Sequence, residues 1–134
     1  MYLLDTNIVS ELRKHRPHKG VLAWIQDIPE ESLFLSAVSI GEIQAGIEIT
    51  RDQDEKKAEE IEEWLDRVAQ SYSVVAVDAS IFRRWAQLMH RRTDHHIEDG
   101  LIAATALVRG LTVVTRNVRD FAPFAVSLIN PFTA

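Results

Sequence analysis

The sequence of 134 residues contains no cysteine, only four prolines and five glycines, and no long apolar run. The missing cysteines exclude a disulfide scaffold, a thiolate zinc site and a cysteine nucleophile. Without an apolar run of ~20 residues, no segment is expected to cross a bilayer. Residues 1–5 have neither the basic region nor the apolar stretch of a secretory signal, so we expect a cytoplasmic protein. The length suits one core, and we expect a single domain over residues 1–134.

Charge is unevenly distributed along the chain, whose formal net charge is -5. No lysine follows Lys57, and every base between residues 78 and 120 is an arginine. A negatively charged chain binds nucleic acid poorly by charge alone, because phosphate attraction depends on clustered Lys and Arg. An acidic site neutralised by metal would still permit a nuclease, so charge leaves that function open.

Short apolar runs alternate with amphipathic segments along the sequence. Strands are predicted at residues 2–4, 33–38, 73–77, 111–115 and 125–129. The main helices are predicted at residues 21–28, 39–49, 54–71, 81–89 and 98–109. Continuous apolar strands separated by helices indicate a parallel sheet covered on both faces. We therefore predict an α/β three-layer sandwich, with a mainly parallel sheet of four to five strands between helices.

Three acids follow the carboxyl ends of predicted strands. Asp5 comes directly after the first strand, Glu42 lies one turn into the helix after the second, and Asp120 follows the fourth. Parallel α/β sheets bind their ligands outside this edge. We therefore expect the three carboxylates to project toward the same edge of the sheet.

A fourth acid, Asp99, shares a helical stripe with Ile102 and Ala106. An inward carboxylate is costly unless a cation or hydrogen bonds offset its desolvation, and the sequence places no Lys or Arg to do so. Converging carboxylates without basic partners predict a hard-cation site, which suits Mg²⁺ or Mn²⁺ better than zinc. Such ions support phosphate-ester chemistry by activating water.

Each of these acids also has a purely structural interpretation. Asp5 is a favoured cap for the helix that follows it. Ser39 and Glu42 fit a capping box, and Asp99 lies in a first helical turn, where the macrodipole favours a carboxylate. Asp120 is a candidate turn cap. Capping does not prevent metal binding, so both interpretations stay open, but four separate caps do not explain one common edge.

Other functional classes find less support in the sequence. There is no glycine-rich phosphate loop and no GxSxG nucleophile context, and the pair His95-His96 is expected in a solvated loop. A phosphoacceptor receiver domain needs a lysine near its last strand, and none follows Lys57. A non-catalytic acidic-pocket binding module remains the alternative to an enzyme.

Five segments of the chain resemble the PIN-domain family, and more narrowly the VapC and FitB toxins of bacterial toxin–antitoxin pairs. They are residues 4–7 (Leu-Asp-Thr-Asn), 39–43, 98–106, 115–121 and 130–132. The similarity runs over the whole chain and keeps the family's order and approximate spacing of motifs.

The resemblance implies a PIN-like fold and a Mg²⁺-dependent endoribonuclease, in which Mn²⁺ substitutes for Mg²⁺, that hydrolyses RNA phosphodiester bonds. Its catalytic acids would be Asp5, Glu42, Asp99 and Asp120. Of these, Asp5 and Asp99 would hold the principal metal, and the other two would hold a second ion or orient the attacking water. The groups that fix these carboxylates would be Thr6, Asn7, Thr115 and Asn117.

The same resemblance implies two protein partners, a second copy of the chain in a homodimer and a cognate VapB- or FitA-like antitoxin that blocks the site. Such an antitoxin is physically reasonable, because an acidic pocket attracts an inserted Arg or Lys. An amphipathic helix of the antitoxin would lie in an apolar groove beside that pocket.

Overall fold

The computed structural model describes residues 1–92 and 96–133. Within these ranges, five parallel strands form one sheet: β1 (Tyr2–Leu4), β2 (Leu33–Ser36), β3 (Ser73–Val75), β4 (Thr112–Val114) and β5 (Leu128–Ile129). Their order across the sheet is β3-β2-β1-β4-β5, so the first strand lies at the centre. In the register, Leu4 lies opposite Leu35 on one side and Val114 on the other.

Seven α-helices connect or follow these strands in the described residues. They are α1 (Thr6–Arg13), α2 (Lys19–Asp27), α3 (Ala37–Gln53), α4 (Glu55–Ser71), α5 (Ala79–Met89), α6 (Ile97–Arg109) and α7 (Val118–Phe121). Helix α3 packs along α4, and α5 packs along α6. In the described part of the chain, no helix has the length and apolar character needed to span a bilayer.

Successive side chains of β1 enter two different core clusters. Leu3 packs with Ile102 and Phe121, whereas Leu4 packs with Ile8 and Val21. This alternation follows from the pleat of a strand, which sends neighbouring side chains to opposite faces. Both faces of the sheet are therefore covered by helices, and the predicted α/β sandwich with a parallel sheet is confirmed.

Helix α3 begins earlier than predicted. The mostly apolar residues 33–38 predict a strand through Val38, and Ser39 and Glu42 fit a capping box. In the structure Ser36 is the N-cap, and its Oγ accepts a hydrogen bond from the Val38 N–H at 3.0 Å. The predicted capping box is therefore wrong, and Ser39 lies inside the helix. The error arises because a short apolar run does not distinguish the end of a strand from the start of a helix.

Two glycines set the position of α6. Gly110 has φ +68°, the left-handed conformation that commonly ends a helix. A Cβ on Gly100 would lie 2.8 Å from Met89 Sδ and 3.2 Å from Trp85 Cδ1. Gly100 thus lets α5 pack closely against the first turn of α6, which is the turn that carries Asp99.

Candidate metal centre

Asp5 lies where the central strand β1 passes into α1, and it is only 4% exposed. Its Oδ1 accepts a hydrogen bond from the Thr6 N–H at 2.8 Å, so it does cap the helix. Its Oδ2 accepts hydrogen bonds from Thr115 Oγ1 at 2.8 Å and from Asn7 Nδ2 at 3.1 Å. Burial nevertheless raises the pKa of Asp5, and the negative charge of Asp99 adds to the rise.

A cleft of about 390 Å³ opens beside Asp5 at the carboxyl edge of the sheet. Three of the predicted acids line it, namely Asp5, Glu42 and Asp99, and these are called the cleft acids below. The other lining residues are Thr6, Asn7, Ser10 and Asn117. The fold thus gathers carboxylates from β1, α3 and α6 around one opening.

Glu42 faces this cleft from the second turn of α3. Its Oε1 is 2.9 Å from Thr6 Oγ1, which is also hydrogen-bonded to Ser39 Oγ at 2.8 Å. Burial raises the pKa of Glu42, and the neighbouring carboxylate of Asp5 raises it further. Thr6 and the buried Ser39 therefore hold one oxygen of this carboxylate in place.

Asp99, which lines the cleft, also lies close to Asp120 and His96. One ligand atom from each of these three residues lies within 4.8 Å of the others. His96 Nδ1 is 3.3 Å from Asp99 Oδ2. Burial raises the pKa of Asp99, opposed by the nearby His96 and reinforced by Asp120. His96 lies in the loop before α6, as predicted, with its side chain 42% exposed and beside Asp99, while His95 lies outside the described residues.

The groups predicted to fix the carboxylates act in different ways. Thr115 donates to Asp5 and in turn accepts the Asn117 N–H at 2.9 Å. Asn7 donates to Asp5 through Nδ2 and accepts the Arg116 N–H through Oδ1 at 3.2 Å. In the hydrogen bond to Thr115, Asn117 contributes its backbone amide and not its side chain.

A divalent cation fits this set of donors. In residues 1–92 and 96–133, no Lys or Arg forms an ion pair with any cleft acid or with Asp120. Clustered carboxylates with raised pKa values carry a desolvation cost that a bound cation offsets. Carboxylate oxygens are hard ligands, the kind that Mg²⁺ and Mn²⁺ prefer.

Known proteins share this fold. The PIN domain family matches residues 2–125. The chain belongs to the PIN-domain family. VapC ribonuclease Y4jK of Sinorhizobium fredii is 34% identical to this PIN domain, over 98% of each chain. Toxin FitB of Neisseria gonorrhoeae is 30% identical, over 98% of this chain and 99% of its own.

A solved structure has the same fold as this PIN domain. The crystal structure of FitAcB from Neisseria gonorrhoeae covers all of both chains, with a TM-score of 0.89 and 29% identity. The recognition of a PIN domain of the VapC and FitB kind is therefore confirmed.

Two residues of the candidate site were not predicted. His96 does lie in a loop, but its contact with Asp99, three residues further on, was not expected. Ser39 was interpreted as a cap, because its contact with Thr6 joins residues 33 positions apart. Only the spacing of His96 offered a signal in the sequence.

Proposed function

We propose that this PIN domain, a single domain over residues 1–134, is a Mg²⁺-dependent endoribonuclease and the toxic component of a cytoplasmic type II toxin–antitoxin system. It would hydrolyse phosphodiester bonds of single-stranded RNA. The observation that carries the proposal is the cluster of cleft acids that have no Lys or Arg partner in the described residues, in a family whose relative Y4jK is named a ribonuclease.

The four acids of the proposed site would have different roles. Asp5 and Asp99 would hold the principal ion, and Glu42 and Asp120 would hold a second ion or orient the attacking water. A bound Mg²⁺ or Mn²⁺ supplies a lowered water pKa and offsets negative charge on the phosphate. Water attack forms one P–O bond and breaks the bond to the leaving hydroxyl oxygen.

The chain itself contributes rigid positioning of the carboxylates. Asp5 is fixed by three donors and Glu42 by Thr6, so their orientation does not depend on substrate. Loss of such an outer hydrogen bond typically lowers metal affinity or activity by roughly 10–100-fold. The arrangement therefore supports a preformed site.

Cleavage of a labelled single-stranded RNA tests the proposal directly. The wild-type protein should cleave with Mg²⁺ and stop when EDTA is added. Asp99→Asn should lower the rate by on the order of 10² or more, because it removes a metal-holding charge without changing size. Asp66→Asn is the matched control, since Asp66 is an exposed acid on α4 outside the cleft.

Two results would contradict the enzyme. Cleavage in the presence of EDTA would show that no metal ion is required. Undiminished cleavage by Asp99→Asn would show that Asp99 has no part in the mechanism. Binding of Mn²⁺ with no cleavage of any RNA would instead favour the non-catalytic acidic-pocket module.

An antitoxin would bind in a groove that continues from the cleft. This groove of about 360 Å³ shares Thr6, Ser10 and Glu42 with the cleft and extends past Ile47 to Trp64. Its apolar part suits an amphipathic helix, and its acidic end suits an inserted Arg or Lys. Co-expression with the protein encoded by the neighbouring reading frame should relieve growth arrest, whereas Gly46→Glu, at an exposed position of the groove where a Cβ meets no atom within 4 Å, should not be neutralised.

The proposed homodimer agrees with apolar side chains that remain exposed on one chain. Ile49 on α3 is 66% exposed and Phe82 on α5 is 49% exposed. Light scattering coupled to gel filtration should give the mass of two chains. A monomer at micromolar concentration would contradict the dimer without affecting the nuclease proposal.

A further inference from the structure

A concentrated positive charge lies outside the acidic site. Residues 13–19, called the basic loop below, contain four Lys or Arg and two His and no acid. The loop connects α1 to α2. Glu11, only 6% exposed, accepts hydrogen bonds from Lys14 Nζ and from the His18 N–H, both at 2.9 Å. The loop is therefore held against α1 in a defined shape.

Phe132 connects this loop to the cleft. The Arg116 guanidinium carbon lies 4.9 Å from the Phe132 ring centroid, and the His18 ring centroid lies 5.0 Å from it. Arg116 also donates its backbone N–H to Asn7, which lines the cleft. A continuous series of contacts thus runs from the cleft to the basic loop.

The cations along this series are not neutralised by the protein. Arg16, Lys19 and Arg116 are exposed, and in the part of the chain that the structure describes none of them forms an ion pair with a carboxylate. Lys14 differs, because it is paired with Glu11. An unpaired Arg beside an aromatic ring, with further unpaired cations on the adjoining loop, provides the elements that bind single-stranded nucleic acid.

A net negative protein with an acidic cleft repels a polyanion unless positive charge lies beside the cleft. We propose that Arg116, Phe132, His18 and the basic loop form a track that binds the backbone of single-stranded RNA on one side of the scissile phosphate. Arg116, Arg16 and Lys19 contact phosphates, and Phe132 offers an aromatic surface to a base. This track rests on the proposed function and gives that site its substrate-binding surface.

The test measures binding apart from cleavage. All variants are made in the Asp99→Asn background, so that a short fluorescein-labelled single-stranded RNA stays intact, and anisotropy is recorded over a range of salt. Arg16→Gln/Lys19→Gln removes two charges from the track. Arg83→Gln/Arg84→Gln removes two exposed charges from α5 and is the matched control.

The track predicts different results for the two pairs. Arg16→Gln/Lys19→Gln should raise the Kd about tenfold and lower the salt slope by about 1.4, because each phosphate contact on a single strand contributes about 0.7. The control pair should change the Kd less than about twofold. Phe132→Leu keeps an apolar side chain in the fold and should weaken binding about fivefold, if a base stacks on the ring. Equal thermal unfolding temperatures would show that the loop pair is folded.

Several outcomes would overturn the track. An equal loss in both pairs would mean diffuse attraction by the whole surface, and an unchanged Kd in the loop pair would place the RNA elsewhere. Absence of RNA binding by every variant would also overturn it. The wild-type cleavage assay judges the nuclease separately, so cleavage with no effect of the loop pair would reject the track alone.

Discussion

Acidic side chains occupy two contrasting environments in this PIN domain. At the carboxyl edge of the sheet, the cleft acids Asp5, Glu42 and Asp99 all have raised pKa values, with burial as the main cause. In the described residues none of them has a Lys or Arg partner. Ionisation of these groups therefore costs free energy in the folded protein.

On the exposed surface between α3 and α4 the opposite holds. Arg51 forms ion pairs with Glu48 and Glu62, each at 3.0 Å, and Gln44 donates hydrogen bonds to both glutamates. Hydrogen bonds from Arg51 and Gln44 lower the pKa of Glu48, and those from Gln44 and Arg51 lower the pKa of Glu62.

The same functional group thus serves two purposes. The charges of Glu48 and Glu62 are offset by Arg51. The cleft acids have no Lys or Arg partner in the described residues, so their charge is available to a metal ion. The missing partner, more than the number of acids, distinguishes the site from the surface.

The largest expected difference between the regions is in RNA cleavage. Glu42→Gln and Glu62→Gln make the same chemical change in the cleft and on the surface. We expect Glu42→Gln to lower the rate on the order of 10² and Glu62→Gln to leave it within about twofold. Single-turnover cleavage measures both, and similar rates for the two variants would abolish the distinction.

The hydrogen bond from Thr115 to Asp5 is the next test. Thr115→Val keeps the shape of the side chain but removes a donor to a buried carboxylate. We expect Mn²⁺ affinity to fall roughly 10–100-fold, measured by titration calorimetry. Thr50→Val is the control, because its hydroxyl bonds only the Gly46 carbonyl of its own helix, at 3.1 Å. An equal loss in both would mean that threonine hydroxyls matter only for the fold.

Metal binding should stabilise the protein through the cleft acids and not through the acids between α3 and α4. Mg²⁺ at ten times its Kd stabilises a protein by about 1.4 kcal/mol, which raises the unfolding temperature by several degrees. Asp99→Asn should abolish this rise, while Glu62→Gln should retain it. Calorimetry with and without Mg²⁺ measures the shift, and a shift that persists in Asp99→Asn would locate the ion elsewhere.

The smallest effect concerns the metal-free protein and its pH dependence. Because the pKa of Asp99 is raised in the folded state, its ionisation destabilises the fold as pH rises through that pKa. Asp99→Asn should therefore unfold at a higher temperature than wild type at pH 7, and the gain should vanish in acid.

Glu62→Gln should behave in the opposite way. Since the pKa of Glu62 is lowered, the glutamate stabilises the fold above its ordinary pKa, and this contribution is lost as pH falls. The variant should unfold slightly below wild type at pH 7 and match it in acid. Thermal melts from pH 7 down to acid measure the change in unfolding temperature of each variant relative to wild type. A change of the same sign in both variants would contradict the difference between the two environments.

Most of the fold could be predicted because its signals are local. The first strand and the long amphipathic α4 follow from an apolar run and a helical period. The predicted start of α3 was wrong because apolar residues continue on both sides of Ser36, the residue that caps the helix. Helix α7 was missed because its four residues are too few to show a period.

The candidate site could be predicted only in part. Asp5 and Asp99 stand out by their place after a strand and on an apolar stripe, which are local features. Their roles as metal ligands stay predictions until the experiments above are done. His96 and Ser39 were not recognised, and the contact between Arg116 and Phe132 was not foreseen, because such contacts depend on where loops come to lie.

Periodicity and the sites of its acids predicted a parallel α/β protein with carboxylates after its strands, and the resemblance of five segments indicated a PIN domain. Those properties depend on residues that are close together in the sequence, so short-range sterics and burial suffice to determine them. Packing alone decided that three carboxylates share one cleft, that Thr115 holds Asp5 across 110 residues, and that Phe132 joins Arg116 to His18. These contacts join groups far apart in the chain, and only the sheet and its helices bring them within bonding distance.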